Sequence, residues 1–175
     1  PDFSIVSPRT AEKEPVTSGL TYQKGAWVLH MLRNLVGEVN FKKGIQTYYA
    51  TYFNSNATTN DFIAIMEEAS GQNLQTFFKQ WLYQPINPTI NGTWDYNAKT
   101  KKITIQLQQA QQGDMVFNVP VEIGYYTKSS TTPTILKMNV TTKELTQTFT
   151  VKGIPDKLEF DPWNILLCKS SLVKK

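Results

Sequence analysis

Histidine and cysteine are almost absent from this 175-residue chain, which contains one of each, His30 and Cys168. A single cysteine cannot form an internal disulfide, and a single histidine cannot supply a metal site that needs two imidazoles. A serine or cysteine triad would also need a histidine placed beside its nucleophile, and no such pattern is present. Any metal chemistry therefore needs ligands from outside this chain.

Long apolar runs and basic clusters are also absent. No run approaches the roughly 20 residues that span a bilayer, and the 18 lysines and arginines, set against 14 acidic residues, are scattered along the chain. We therefore predict no membrane span and no nucleic-acid surface. Because the sequence starts at Pro1 without a charged and apolar leader, we expect it to be a piece of a longer protein. The compartment stays open, with the periplasm or extracellular space favoured over the cytoplasm.

Apolar residues recur at helical spacing through the first half of the chain. The first helix is expected to end at Gly37, and the second to begin with Asn40 as N-cap and to bury an aromatic stripe. A third helix is predicted to begin at the capping-box sequence Thr58-Thr59-Asn60-Asp61. A fourth should run from Asn73 to the prolines at 85 and 88, because proline ends a helix.

Beyond Pro88 the hydrophobic period changes from about 3.6 to 2, which is typical of half-buried strands. The alternating segments lie at residues 94–96, 103–107, 117–125, 136–140, 145–151 and 158–160. Pro120 in the longest of them indicates an edge or a bulge. We therefore predict an α+β protein with a four-helix segment over residues 1–87, followed by a small antiparallel β-sandwich over residues 88–175.

Four motifs in the helical half resemble a known enzyme family. They are Tyr22-Gln23-Lys24-Gly25-Ala26, Asn56-Ala57-Thr58-Thr59-x-Asp61-Phe62 and Phe77-Phe78-x-Gln80-Trp81-Leu82, together with Gly37-Glu38-x-x-Phe41 between the first two. Their order and spacing are similar to those of the aminopeptidase N-like zinc metallopeptidases of the gluzincin class. The resemblance covers residues 18–88, and residues 117–121 and 158–162 are more loosely similar to the β-sandwich that many members place there.

The resemblance implies a zinc-dependent aminopeptidase that hydrolyses N-terminal residues from peptides. In that family the tyrosine of the Tyr-x-Lys-Gly motif donates a hydrogen bond to the oxyanion formed at the scissile carbonyl, and this role would fall on Tyr22. Lys24 is interpreted as a structural partner. The zinc-binding His-Glu-x-x-His pattern, a third glutamate ligand and the acidic segment for the substrate's amino group are missing here. We therefore expect zinc and the peptide substrate to be held by an upstream domain, and this chain alone to bind no zinc and to be inactive.

Two other hypotheses stay open. A parent protein could keep this scaffold after losing its zinc motif, which would make the chain part of a non-catalytic relative. Alternatively, residues 88–175 could form a binding module for protein or carbohydrate, with the aromatic residues Trp94, Tyr96, Tyr125 and Tyr126.

A few polar residues have structural interpretations instead of catalytic ones. His30 is expected to be a half-buried helix residue with no second histidine to complete a metal site. Glu67 and Glu68 are adjacent, so their side chains point about 100° apart on a helix and suit a solvated face. Cys168 shows no partner base and is interpreted as a structural or partly exposed thiol.

Overall fold

The computed structural model describes residues 4–6 and 19–175, with side chains in the second range described from Thr21 onward. The chain divides into two compact units, Pro1–Pro85 and Ile86–Lys175. Helices occupy the first unit and strands the second, so the predicted α+β class is confirmed. The assignment of residues 1–87 to a catalytic domain and of residues 88–175 to a separate domain stays a prediction.

The described residues of the first unit form four helices, α1 (Gly19–Val36), α2 (Glu38–Tyr52), α3 (Thr59–Ser70) and α4 (Gln75–Leu82). Its core consists of apolar side chains from α1, α3 and α4 and from the residue before α4: Val28, Met31, Leu32, Val36, Ile63, Met66, Leu74, Phe78, Trp81 and Leu82. Helix α2 approaches α3 closely at Gly44, where a β-carbon would collide with the sulfur of Met66. A glycine at this position therefore lets the two helices pack.

The junction between α1 and α2 corrects one prediction. Helix α1 ends before Gly37 as expected, but α2 begins at once at Glu38, with Gly37 at φ 84° as its N-cap. One glycine is enough to separate the helices, because glycine adopts positive φ without steric strain. Asn40 lies inside α2 and donates from Nδ2 to the carbonyl of Val36 at 2.9 Å. The prediction of Asn40 as N-cap is wrong, since its amide satisfies a terminal carbonyl of α1 instead.

The capping box of α3 is confirmed. The hydroxyl of Thr58 accepts the N–H of Asp61 at 3.3 Å, and the Asp61 carboxylate accepts the N–H of Thr58 at 2.8 Å. At its other end α3 stops at Gly71, which is left-handed at φ 67°. Both ends of this helix therefore follow from local sequence.

Helix α4 begins at Gln75, two residues after the predicted start at Asn73. The carboxylate of Glu67 accepts the N–H of Leu74 at 2.7 Å and the side-chain amide of Gln75 at 3.1 Å. Glu67 therefore satisfies donors at the start of α4 from a position on α3. The prediction of a solvated face holds for the exposed Glu68 and is wrong for Glu67.

The second unit contains seven strands, β1 (Thr89–Asn97), β2 (Lys102–Gln109), β3 (Val119–Tyr126), β4 (Thr134–Val140), β5 (Glu144–Thr150), β6 (Lys157–Phe160) and β7 (Lys169–Lys174). They form a four-stranded sheet in the order β5-β2-β1-β7 and a three-stranded sheet in the order β4-β3-β6. Alternate residues are buried, as with Ile103, Ile105 and Leu107 of β2. All pairs are antiparallel except β1 with β7.

Two strand features concern the sheet edges. Pro120 of β3 lies opposite Asn139 of β4, whereas β6 pairs with β3 only from Ile123 to Tyr126. Proline therefore occupies a point where β3 has one neighbouring strand, in agreement with the predicted edge.

Strand β7 was not predicted, because only Leu172 in it is half-buried and the sequence shows no alternation.

A buried glutamine fixes the connection between β2 and β3. Gln109 is 1% exposed, and its Nε2 donates to the carbonyls of Phe117 at 2.8 Å and Thr142 at 3.2 Å. Its Oε1 accepts the N–H of Phe117 at 2.9 Å and the side-chain amide of Gln111 at 3.0 Å. The loop between these strands is therefore held by one amide whose donor and acceptor are both used.

Candidate active site at the start of helix α1

Tyr22 lies in the first turn of α1 with 75% of its surface exposed. Its phenol hydroxyl can donate a hydrogen bond. The structure therefore leaves an accessible donor at the residue that the sequence motif singles out.

Lys24, two residues further along α1, faces the other way. It is 7% exposed, and its Nζ donates to the carbonyl of Gln84 at 2.8 Å. Gln84 lies just beyond the end of α4, where the carbonyl of Leu82 also accepts the N–H of Val6 at 2.9 Å. Lys24 is therefore a structural partner, as predicted, and it joins the start of α1 to the chain after α4.

His30 is exposed on α1, so the prediction of a half-buried histidine is wrong. Its ring contacts Trp27 edge to face, with 5.6 Å between the ring centroids. Among the described residues, no group of three or more histidine, cysteine, aspartate or glutamate side chains could hold a metal ion. The described part of the chain therefore does not fit a zinc site.

The aromatic stripe on α2 is less buried than predicted. Tyr49 is 66% exposed, and Phe41, Tyr48 and Tyr52 are half-buried. Tyr48 packs edge to face on Phe62 of α3, with ring centroids 5.1 Å apart. The stripe therefore covers one side of α3 while part of it stays open to solvent.

Cys168 is half-buried in the second unit. Burial, reinforced by the nearby Asp161 carboxylate, raises the pKa of its thiol to about 12. The Asp161 carboxylate itself accepts the N–H groups of Ile165 at 3.0 Å and Leu166 at 2.7 Å. Because the thiolate is the nucleophilic form, the raised pKa favours the structural interpretation of Cys168.

The four aromatic residues proposed for a binding module do not form one exposed surface. Trp94 and Tyr125 are buried, and the Tyr125 hydroxyl donates to the carbonyl of Lys152 at 3.2 Å. The ammonium of Lys157 covers the Tyr126 ring at 4.3 Å from its centroid. Trp94 and Tyr125 therefore contribute to packing, whereas Tyr96 and Tyr126 are half-buried.

No helix in the described part of the chain has both the length and the apolar character to cross a membrane.

Residues 5–81 match the model of the peptidase family M1 domain. Aminopeptidase N of Escherichia coli (strain K12) is 32% identical over 164 residues, which cover 86% of this chain and 18% of that protein. The probable aminopeptidase 2 of Sulfurisphaera tokodaii is 36% identical over 93 residues, which cover 51% of this chain and 12% of that protein. This chain therefore spans less than a fifth of the length of these relatives.

A solved structure shares the fold. The crystal structure of Legionella pneumophila aminopeptidase A in complex with aspartic acid matches with a TM-score of 0.74 at 16% identity, over 89% of this chain and 18% of that chain. The helical motifs around Tyr22 and Lys24 fall inside the residues that match the family model. The resemblance predicted from the sequence is thus confirmed, and this chain is a relative of the aminopeptidase N-like metallopeptidases of peptidase family M1.

Proposed function

We propose that this chain forms one part of a zinc-dependent aminopeptidase that removes N-terminal residues from peptides, and that Tyr22 stabilises the oxyanion at the scissile carbonyl. The observation that carries the proposal is the exposure of the Tyr22 phenol within the segment that matches the family M1 domain. The similarity to aminopeptidase N over most of the chain supports the substrate class.

The chemistry suits a tyrosine. A neutral phenol donates a hydrogen bond that strengthens as negative charge develops on the substrate oxygen, so it stabilises the transition state more than the ground state. The described residues do not fit a zinc site. In this proposal the zinc ligands and the acids that hold the substrate's amino group belong to protein outside this chain, which contributes Tyr22 and the scaffold around it.

The test is the Tyr22→Phe variant of the longer protein that carries the zinc ligands. Phenylalanine keeps the ring and removes the donor, so kcat for an aminoacyl anilide is expected to fall about 10²–10³-fold. KM should change little, because ground-state binding would depend on groups other than the phenol. Zinc content, measured by elemental analysis, should stay at the wild-type level.

Tyr49→Phe is the matched control, because Tyr49 is 66% exposed in the same unit. It should keep wild-type kcat. A second control is this chain alone, which should retain no stoichiometric zinc after dialysis and should not hydrolyse the anilide. A wild-type kcat in Tyr22→Phe would refute the catalytic role, and a longer protein without zinc or activity would leave the non-catalytic relative as the better hypothesis.

A further inference from the structure

We propose that Lys24 is a positioning residue, which fixes the direction in which α1 presents the Tyr22 phenol. This inference rests on the proposed function of Tyr22. Its basis is the hydrogen bond from the buried Lys24 ammonium to the carbonyl of Gln84, across 60 residues of sequence.

The two side chains point to opposite sides of α1. Residues two apart on an α-helix are separated by about 200° around its axis. Lys24 is buried at 7% exposure and Tyr22 is exposed at 75%. A rotation of α1 that turns the phenol therefore also displaces the backbone of Lys24, whose ammonium is bonded to the carbonyl of Gln84.

The position of Lys24 along α1 makes it the anchor of the first turns. Among the described side chains of α1, Lys24 is the first buried one, and the next are Val28, Met31, Leu32 and Val36. Thr21 is half-buried, and Tyr22 and Gln23 are exposed. The apolar residues pack the rest of α1, and Lys24 anchors the turn that carries Tyr22 to the chain after α4.

The partner of Lys24 explains why a lysine is suitable. Gln84 lies two residues after Leu82, the last residue of α4, and the C-terminal end of a helix carries a partial negative charge that favours a cation. The long methylene stem can lie in an apolar interior while the ammonium reaches a backbone oxygen. A backbone carbonyl beside a helix end is also a fixed point, since it cannot rotate as a side chain would.

We expect the loss of the Lys24 hydrogen bond to displace the Tyr22 phenol and so to lower kcat. A misplacement of about 1 Å at a catalytic group can reduce the rate roughly 10²-fold. Lys24→Met keeps the stem and removes the ammonium, so in the longer protein kcat should fall about 10–10²-fold with little change in KM. Lys79→Met, which removes an exposed lysine from α4, is the matched control and should keep wild-type kcat.

A double-mutant cycle separates positioning from general damage. In a Tyr22→Phe background the Lys24→Met change should lower kcat no further, because the phenol it positions is already absent. Equal losses in both backgrounds, or a wild-type kcat in Lys24→Met, would overturn the inference. If Lys24→Met does not fold, Lys24→Arg keeps the charge while moving the donor, and its loss should likewise vanish in the Tyr22→Phe background. The proposed function of Tyr22 is tested separately by the Tyr22→Phe single variant, in which a wild-type kcat would refute it.

Discussion

The helical unit and the strand unit differ in how completely they cover their apolar residues, although they are similar in length. In the described part of the helical unit the exposed large apolar side chains are Tyr22, Leu29, Leu35, Val39, Ile45, Tyr49, Phe53 and Tyr83. In the strand unit they are Val116, Ile154, Trp163 and Val173. The described part of the helical unit therefore leaves more large apolar side chains exposed than the strand unit does. We expect it to depend more on contacts with other protein for its stability.

The sequence patterns explain this difference. Strand β2 alternates buried and exposed positions through most of its length, so one face closes a core while the other faces solvent. In α2 only Gly44 is fully buried, and Val39 and Tyr49 are exposed. A helix with so little of its own surface buried depends on neighbours for stability.

The largest expected effect is the loss of folding in one half of the chain. Expressed alone, residues 86–175 should unfold cooperatively, because the two sheets bury their own apolar faces. Residues 1–85 alone should be less helical than they are in the whole chain and should melt over a broad temperature range, because this unit leaves more apolar surface exposed. Circular dichroism melts of both pieces and of the whole chain would check this. An equally sharp melt for residues 1–85 would remove the proposed difference between the units.

A second effect tests how the strand unit holds its loops. Gln109→Leu keeps the side chain's size but leaves the N–H and carbonyl of Phe117 and the carbonyl of Thr142 without this partner. Because an unsatisfied buried group costs about 1–3 kcal/mol, and Phe117 is buried whereas Thr142 is exposed, the loss should be about 1–3 kcal/mol of unfolding free energy. Urea titration of the whole chain measures it.

Gln108→Leu is the control for this change. Gln108 is the exposed neighbour of Gln109 on β2 and bonds to the exposed Glu144 at 3.2 Å. It should change the free energy of unfolding by less than about 0.5 kcal/mol. Similar losses in the two variants would show that the buried amide has no special role in the loop.

The features that sequence could predict are those fixed by local chemistry. The capping box at Thr58 and Asp61, the break at Gly37 and the alternation in β2 each depend on residues close in sequence. The features that escaped prediction depend on distant partners. Strand β7 pairs with β1, about 80 residues earlier, and Asn40 serves a carbonyl of the preceding helix.

The candidate site shows the same limit. Tyr22 was identified by its resemblance to a family motif, because composition and spacing alone do not distinguish a catalytic tyrosine from a packing one. The interpretation of Lys24 as structural was available from sequence, but its partner was not, since Gln84 lies 60 residues away. Contacts of that range require the packed structure.

The smallest expected effect lies in the capping box of α3, and it depends on pH. Thr58→Ala removes the hydroxyl that accepts the Asp61 N–H, and it should cost about 1 kcal/mol of stability at neutral pH. The Thr58 hydroxyl and N–H hold the pKa of the Asp61 carboxyl below its ordinary value of 3.8. A group whose pKa is lowered on folding stabilises the protein above its unfolded pKa, and this contribution disappears as the pH falls through the folded value.

The pH dependence can be measured by comparing the melting temperatures of the wild type and Asp61→Ala. Their difference should be constant at neutral pH, where the Asp61 carboxylate is ionised in both states, and should shrink as the pH falls below 3.8. Glu68→Ala, which removes an exposed carboxylate from the same helix, is the matched control and should melt near the wild-type temperature at neutral pH. If the difference in melting temperature grew on acidification, the ionised Asp61 carboxylate would not stabilise α3. The stability of the helical unit would then depend on contacts with its neighbours and not on this helix cap.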